Sequence, residues 1–288
     1  MKSVELTILC DNTAAMKEGI QAEHGFSVLL ETDETLLLFD TGQSDVFWHN
    51  AEILGKDLTK IDRVVLSHGH YDHTGGLGRL ARVGIPYEIA AHRDLFIPRY
   101  KKQKDGTLKY IGCPYHRDHL ESRGLAFRFV ESRVEVGPGV FFVSEVPRET
   151  EFEKGDPLLV ARDGAGRVIP DPFRDDGSLY VRTPHGLVVI LGCSHRGMVN
   201  ILTRILTLEG DVPILCVIGG THLSRVDPSQ TADTIDALRD MQVRAVGVSH
   251  CTGPEAAEEM SRAFGPEFFR AMAGVVIKID EKGGVTLQ

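Results

Sequence analysis

The sequence predicts an α/β protein built as a four-layer α/β/β/α sandwich, read as one domain over residues 1–288 with an insertion around 93–121. Two observations carry the prediction. Each half of the chain opens on short strands joined by turns and then passes into strand–helix units, which suits sheets packed together with helices outside. Four short apolar runs, each read as a buried strand, also end in histidine-bearing turns. A rigid strand end is where a scaffold presents functional groups.

The elements follow in order. Residues 4–10 alternate weakly and read as a strand; 26–30 and 36–40 form two more around the turn Thr32-Asp33-Glu34. Residues 45–54 have helical apolar spacing, 63–66 form a short buried strand, 75–82 a helix, and 86–90 an extended run. The stretch 93–121 is rich in Lys, Arg, Tyr and His and is broken by Pro98, Gly106, Gly112 and Pro114, so it reads as a lid-like insertion. Strands are expected at 125–130 and 140–143, a charged, turn-rich stretch at 149–163, and a hairpin at 179–183 and 187–191 around Pro184-His185-Gly186. From there strands (213–218, 243–248, 275–279) alternate with helices (198–208, 228–241, 254–264). No internal repeat is present.

A chain of 288 residues with 42% hydrophobic and 25% charged residues has the composition of a soluble globular protein. Its net charge of -9 gives no global attraction for nucleic acid or anionic lipid. No apolar run is long enough to span a bilayer, and the N-terminus lacks a signal-peptide apolar core, so a cytoplasmic location is expected. Five irregularly spaced cysteines argue against a disulfide framework. Cys193 and Cys251 lie in histidine-containing strings, and either can approach a metal, although small buried cysteines are commoner than ligands.

The chemistry concentrates in His68-Gly69-His70-Tyr71-Asp72-His73, three histidines and a carboxylate in six positions. His68 and His70 are two apart, so on an extended strand end they project from one face. Asp72 and His73 follow where the chain turns into a helix. Imidazole and carboxylate donors suit zinc, iron or manganese, and four donors in one segment exceed what a single open catalytic metal takes. Two adjacent metals are the better reading. Three later strand ends carry His195, His222 and His250, so six of the chain's 12 histidines fall in four similar contexts.

The HxHxDH string resembles the signature of the metallo-β-lactamase-fold superfamily, whose four-layer sandwich matches the predicted layers. The resemblance implies two divalent metal ions, zinc first, with iron or manganese as alternatives. One metal would take His68, His70 and His195; the other would take Asp72, His73 and His250. Asp40, in Leu38-Phe39-Asp40-Thr41-Gly42, matches an aspartate that holds the metal loop by hydrogen bonds without binding metal. Many members place an aspartate bridging both metals before the final histidine. Here the corresponding stretch, Cys216 to His222, has no acid. With Asp72 as the sole anionic ligand, two divalent ions leave a net charge of about +3, which favours anionic substrates.

Further strings, among them Asp11-Asn12-Thr13, Gly192-Cys193-Ser194-His195 and Gly219-Gly220-Thr221-His222, are similar to one branch of that superfamily, labelled metal-dependent hydrolases and including dihydropterin-directed synthases. The expected activity is hydrolysis of a small phosphate- or carboxylate-bearing metabolite by water activated between the metals. Asp72 would orient that water, and His24 or His222 would protonate the leaving group. Arg148 and Arg196 are the expected anion grip; Lys101, Lys102 and Lys104 are further candidates. Pterin-directed transfer is the alternative. A non-catalytic metal-binding sensor is the third reading, against which stands the absence of a nucleic-acid motif. No separate flavodoxin-like domain is present, and the 93–121 insertion is the expected contact of a homodimer.

Overall fold

A computed structural model describes residues 3–288. The strands of the first half are β1 (Val4–Cys10), β2 (Ser27–Thr32), β3 (Leu36–Phe39), β4 (Arg63–Val65), β5 (Glu88–Ala91), β6 (Arg99–Lys102), β7 (Leu108–Tyr110), β8 (Ala126–Phe129), β9 (Arg133–Gly137) and β10 (Val140–Val143). Those of the second half are β11 (Leu159–Arg162), β12 (Val168–Pro170), β13 (Ser178–Thr183), β14 (Gly186–Leu191), β15 (Ile214–Gly220), β16 (Val246–Ser249), β17 (Phe268–Arg270), β18 (Val276–Ile279) and β19 (Val285–Leu287). The helices are α1 (Val46–Ile53), α2 (Tyr71–Thr74), α3 (Leu77–Val83), α4 (Arg117–Ser122), α5 (Met198–Glu209), α6 (Pro228–Asp240) and α7 (Pro254–Phe264).

Two large sheets form the sandwich. One has eight strands in the order β19-β18-β1-β2-β3-β4-β5-β8, the other seven in the order β17-β16-β15-β14-β13-β10-β9. Period-two alternation divides each strand between two cores. On β2 and β3, Val28, Leu30, Leu37 and Phe39 face the opposite sheet, where they meet Val140, Phe142, Val181 and Ile190. Leu29 and Leu38 point the other way, toward Phe47 and Trp48 of α1 and Leu80 of α3. On the second sheet, Val189, Leu191 and Val217 face α5, α6 and α7 through Ile201, Leu202, Leu238 and Met260. Because both faces of the central strands are buried, these strands read as continuous apolar runs. The four layers are those expected.

Each sheet changes character along its width. β3, β4, β5 and β8 pair in parallel, as do β14, β15, β16 and β17, while the remaining pairs in the two sheets are antiparallel. The carboxyl ends of those parallel strands form a common rim. A third, four-stranded sheet in the order β12-β11-β6-β7 joins two distant hairpins. β6 and β7 lie within 93–121, whereas β11 and β12 lie in and beyond the charged stretch read as turns. Seven strands went unread in the sequence: β6, β7 and β11, inside stretches read as an insertion or as turns, and β9, β12, β17 and β19. The last four are at sheet edges, and β12 and β19 are largely exposed, so they lack a buried face to mark them. Among the described residues no helix is long and apolar enough to cross a membrane.

Candidate metal centre

The histidine-bearing turns leave the carboxyl ends of β4, β14, β15 and β16, the side on which parallel sheets place their ligand sites. Sharp left-handed backbone at Asp40, Ser194, His222 and His250 (φ 58°, 60°, 53° and 48°) turns these segments away from their strands. Non-glycine residues held in that region cost about 1–3 kcal/mol each and collect at functional sites. Gly69 lets the first turn pack closely: a Cβ there would stand 1.9 Å from the Leu95 carbonyl oxygen.

One group consists of His68, His70 and His195, all buried. His68 Nε2 lies 3.0 Å from His70 Nδ1 and 3.2 Å from His195 Nε2. Burial above all holds the three imidazoles well below their ordinary values, so each is neutral. Ser67 Oγ, whose proton goes to Asp40 Oδ2 at 2.7 Å, accepts from His68 Nδ1 at 2.9 Å, leaving the His68 Nε2 lone pair bare. Phe173 stacks on the His195 ring at 4.0 Å and fixes its plane. Converging neutral nitrogens with no carboxylate among them repel one another unless a cation sits between them. The donor chemistry and spacing fit a metal ion.

The second group is arranged around His250. His73 Nε2 lies 3.3 Å from His250 Nε2, and Asp72 Oδ2 lies 3.4 Å from the same atom. Asn12 Oδ1 accepts from His250 Nδ1 at 2.9 Å, and Asp11 Oδ1 accepts from the His250 backbone N–H at 2.6 Å, so Nε2 faces inward. On the other ring, His73 Nδ1 donates to Asp40 Oδ2 at 2.7 Å, with both side chains fully buried. Burial works to lower His73, but the charge and hydrogen bond of Asp40, with Asp72, raise it to about 9. For Asp72, burial opposes ionisation, yet the His24 and His250 hydrogen bonds keep it well below the usual carboxylate range.

The remaining candidates occupy different settings. His24 is half exposed and donates from Nε2 to Asp72 Oδ2 at 3.0 Å, a bond that raises its imidazole above the ordinary value. The His222 ring lies 4.3 Å from that of His195, and neither of its ring nitrogens has a hydrogen-bond partner. Arg148 donates to the carbonyls of Glu153 and His195, at 2.9 and 2.6 Å. Arg196 donates to those of Val146 and Pro172, at 2.6 and 3.1 Å. Both guanidinium groups thus hold loops together, although Arg148 also lines a cavity of about 600 Å³ beside His195 and His222.

A neighbouring cavity of about 470 Å³ opens directly onto His24, His70, Asp72 and His250. Its cations are Lys101, Lys109 and Arg225. Lys101 stood out in the sequence; Lys109 and Arg225 did not, since nothing separates them there from ordinary surface charge. Sequence reasoning also missed Ser67, Phe173 and the clamp around Gly69. The Gly69 N–H donates to Asp175 Oδ2 at 2.9 Å, and the other oxygen of Asp175 pairs with buried Arg99 at 2.6 Å. Asp176, in turn, accepts from the Arg196 N–H at 2.7 Å.

The chain has relatives of known family and fold. The metallo-beta-lactamase superfamily model matches residues 21–250. The chain is 28% identical over 284 residues to the 7,8-dihydropterin-6-methyl-4-(beta-D-ribofuranosyl)-aminobenzene-5'-phosphate synthase of Methanocaldococcus jannaschii, covering 96% of this chain and 97% of that protein. A crystal structure of Tm1679, described as a metal-dependent hydrolase of the beta-lactamase superfamily, superposes with a TM-score of 0.84 at 32% identity, covering 96% of this chain and 99% of that one. A diphosphatase from the PhnP family shares the fold at a TM-score of 0.52 and 16% identity, covering 96% and 97%. The chain belongs to the metallo-beta-lactamase superfamily.

Proposed function

We propose that the protein is a metal-dependent hydrolase acting on a small anionic metabolite, phosphate-bearing before carboxylate-bearing. The observation that carries this reading is the opening of the cavity lined by Lys101, Lys109 and Arg225 directly onto the histidine–aspartate cluster. His68, His70 and His195 would hold one divalent ion, and Asp72, His73 and His250 the other, zinc first with iron or manganese as alternatives. When bound, the ions supply a lowered pKa for attacking water and polarise the attacked oxygen.

The chain's own groups do the rest. Asp72 is an ionised acceptor facing the cavity, able to orient water while holding its ion. His24 shares a hydrogen bond with Asp72, and its raised affinity for a proton suits it to protonate a leaving oxygen near neutral pH. His222, with two unpartnered ring nitrogens in the wall common to both cavities, is placed to contact substrate. Lys101, Lys109 and Arg225 attract and orient the anion, with Arg148 contributing at the adjoining cavity. Asp40 and Ser67 keep the rings of His73 and His68 in their ligating orientation.

Pterin-directed transfer is the second reading, supported by similarity to the synthase across nearly the whole chain. It would use the same metals and cationic wall to bind a phosphate or pyrophosphate while an aryl amine attacks. Metal analysis of protein purified without chelator, followed by a panel of phosphomonoesters, phosphodiesters and dihydropterin pyrophosphate with an aryl amine acceptor, tests both. Hydrolysis of phosphoesters without amine transfer supports the first reading. Amine-dependent product from the pterin alone replaces it with the second. Turnover confined to neutral amides overturns both.

A further inference from the structure

Two adjacent divalent ions repel each other, and an anion placed between them relieves that repulsion. The stretch from Cys216 to His222 offers no carboxylate for that position, and a neutral imidazole, with one lone pair, cannot bridge. Cys193 stands where the missing group is needed. Its Sγ lies 3.1 Å from His73 Nε2. It also falls in three separate metal-capable groups, with His68 and His73, with His195 and His222, and with His250 and Cys251. Cys193 therefore reaches ligand atoms of both sets at once, His68 and His195 on one side and His73 and His250 on the other. The two sets also meet directly where His68 and His73 share one of those groups, with Cys193 as its third member.

The backbone explains how the sulfur gets there. A Cβ on Gly192 would stand 2.4 Å from Ser67 Cβ, so the absent side chain lets the β14 end close onto the loop that carries His68 and His73. Left-handed backbone at Ser194 then turns the chain back to bring His195 to the same centre. Cys251 is placed differently. Its Sγ accepts the His222 N–H at 3.2 Å and donates to the Cys193 carbonyl at 3.4 Å, and it shares a metal-capable group only with Cys193 and His250.

We infer that the Cys193 thiolate bridges the two metal ions, in the position where the family resemblance leads one to expect an aspartate. The inference rests on the two-metal reading above and deepens it. The S–H proton passes to solvent as the two metal–sulfur bonds form, each about 2.3 Å for zinc. Such bonds accommodate metals about 3.5–4 Å apart. The net charge of the loaded centre falls to about +2 rather than about +3, still cationic enough to attract an anion.

Cobalt(II) titration of metal-free protein tests this, because thiolate ligation gives a sulfur-to-cobalt charge-transfer band that histidine and carboxylate ligands do not. The wild type should bind two equivalents, with the band growing across both. C251S should keep the band. C193D should bind two equivalents with no band, its carboxylate restoring the bridge, and C193A should bind the second equivalent more than roughly 100-fold more weakly, beyond the range of outer hydrogen-bond partners. A band that saturates at one equivalent, two equivalents bound without a band, or a band lost in C251S but kept in C193D each overturns the bridge and leaves the metal centre standing. Wild-type protein that binds no cobalt, zinc, iron or manganese overturns the metal centre itself.

Discussion

Asp40→Asn tests how the protein prepares His73. The Asp40 carboxylate accepts three buried hydrogen bonds, from the Ser67 N–H, Ser67 Oγ and His73 Nδ1, each 2.7 Å long. A carboxylate can only accept, so it fixes a proton on Nδ1 and leaves Nε2 to face Cys193 and His250. In the amide, one oxygen can still serve the Ser67 N–H, but the NH₂ group takes the place of Oδ2 and donates toward Nδ1. The His73 proton is then driven to Nε2, where it blocks ligation. Recovering the ligating tautomer sets two N–H groups against each other and forfeits a charge-assisted hydrogen bond of about 1.5–3 kcal/mol, roughly 10- to 100-fold in metal affinity. The Ser67 hydroxyl loses the same acceptor, but it can rotate, so its bond to His68 Nδ1 weakens less and the His68, His70 and His195 group should be affected less than His73. Competitive titration against a chromophoric chelator should therefore show one equivalent weakened by that factor and the other by distinctly less. Two unchanged equivalents would refute the tautomer argument. Equal loss of both from a variant that remains folded would show that Asp40 acts on the whole loop.

Two further outcomes follow from the same buried charges. The folded-state pKa of His73 is raised from 6.5 to about 9, so its ion pair with Asp40 contributes stability that is fully present below 6.5 and lost as pH rises through about 9. Metal-free wild type should lose about 3 kcal/mol across that window in urea titrations, and D40N should not; parallel profiles would refute the assignment. Arg99→Met leaves the buried carboxylates of Asp171 and Asp175 without their cation. It should cost about 3–5 kcal/mol by chemical denaturation and be partly rescued by Asp175→Asn, whereas a cost below about 1 kcal/mol would show that the clamp is dispensable.

The parts of the centre that were legible in the sequence are local or repeat a context. His68, His70, Asp72 and His73 crowd one segment, and His195, His222 and His250 each close an apolar run, so no tertiary contact was needed to find them. The central strands were legible because both their faces are buried. Cys193 was legible as a residue able to approach a metal but not as one lying between two ligand sets, since that depends on distances to residues 125 positions earlier, such as His68, and 57 later, such as His250. Phe173 and the Arg99–Asp175 pair likewise act across separations that leave no periodic trace. Arg148 and Arg196 stood out for lying near the motifs, but sequence cannot show whether a guanidinium finds backbone carbonyls or a ligand. Here the guanidinium groups of Arg148 and Arg196 both donate to backbone carbonyls.

The four-stranded sheet ties these observations together. It places Arg99 beneath Gly69, pairs Gly112 with His70, and lets the Ile111 carbonyl accept the Tyr71 N–H at 3.0 Å, so one side of the metal loop is built on it. The same sheet sends Lys101, Lys109 and Leu159 into the wall of the smaller cavity. The candidate metal donors thus come from the rims of the two large sheets, whereas much of the cavity wall beside them comes from the small one. Substitutions at exposed positions of β6 and β7 can change which anion is accepted without moving a histidine. Substitutions at Arg99 or Gly69 cannot, because they bear directly on the turn that holds His68 and His70. That division suits one fold hosting many chemistries, and under the proposed function it assigns anion selectivity to Lys101, Lys109 and Arg225 beside the histidine motifs.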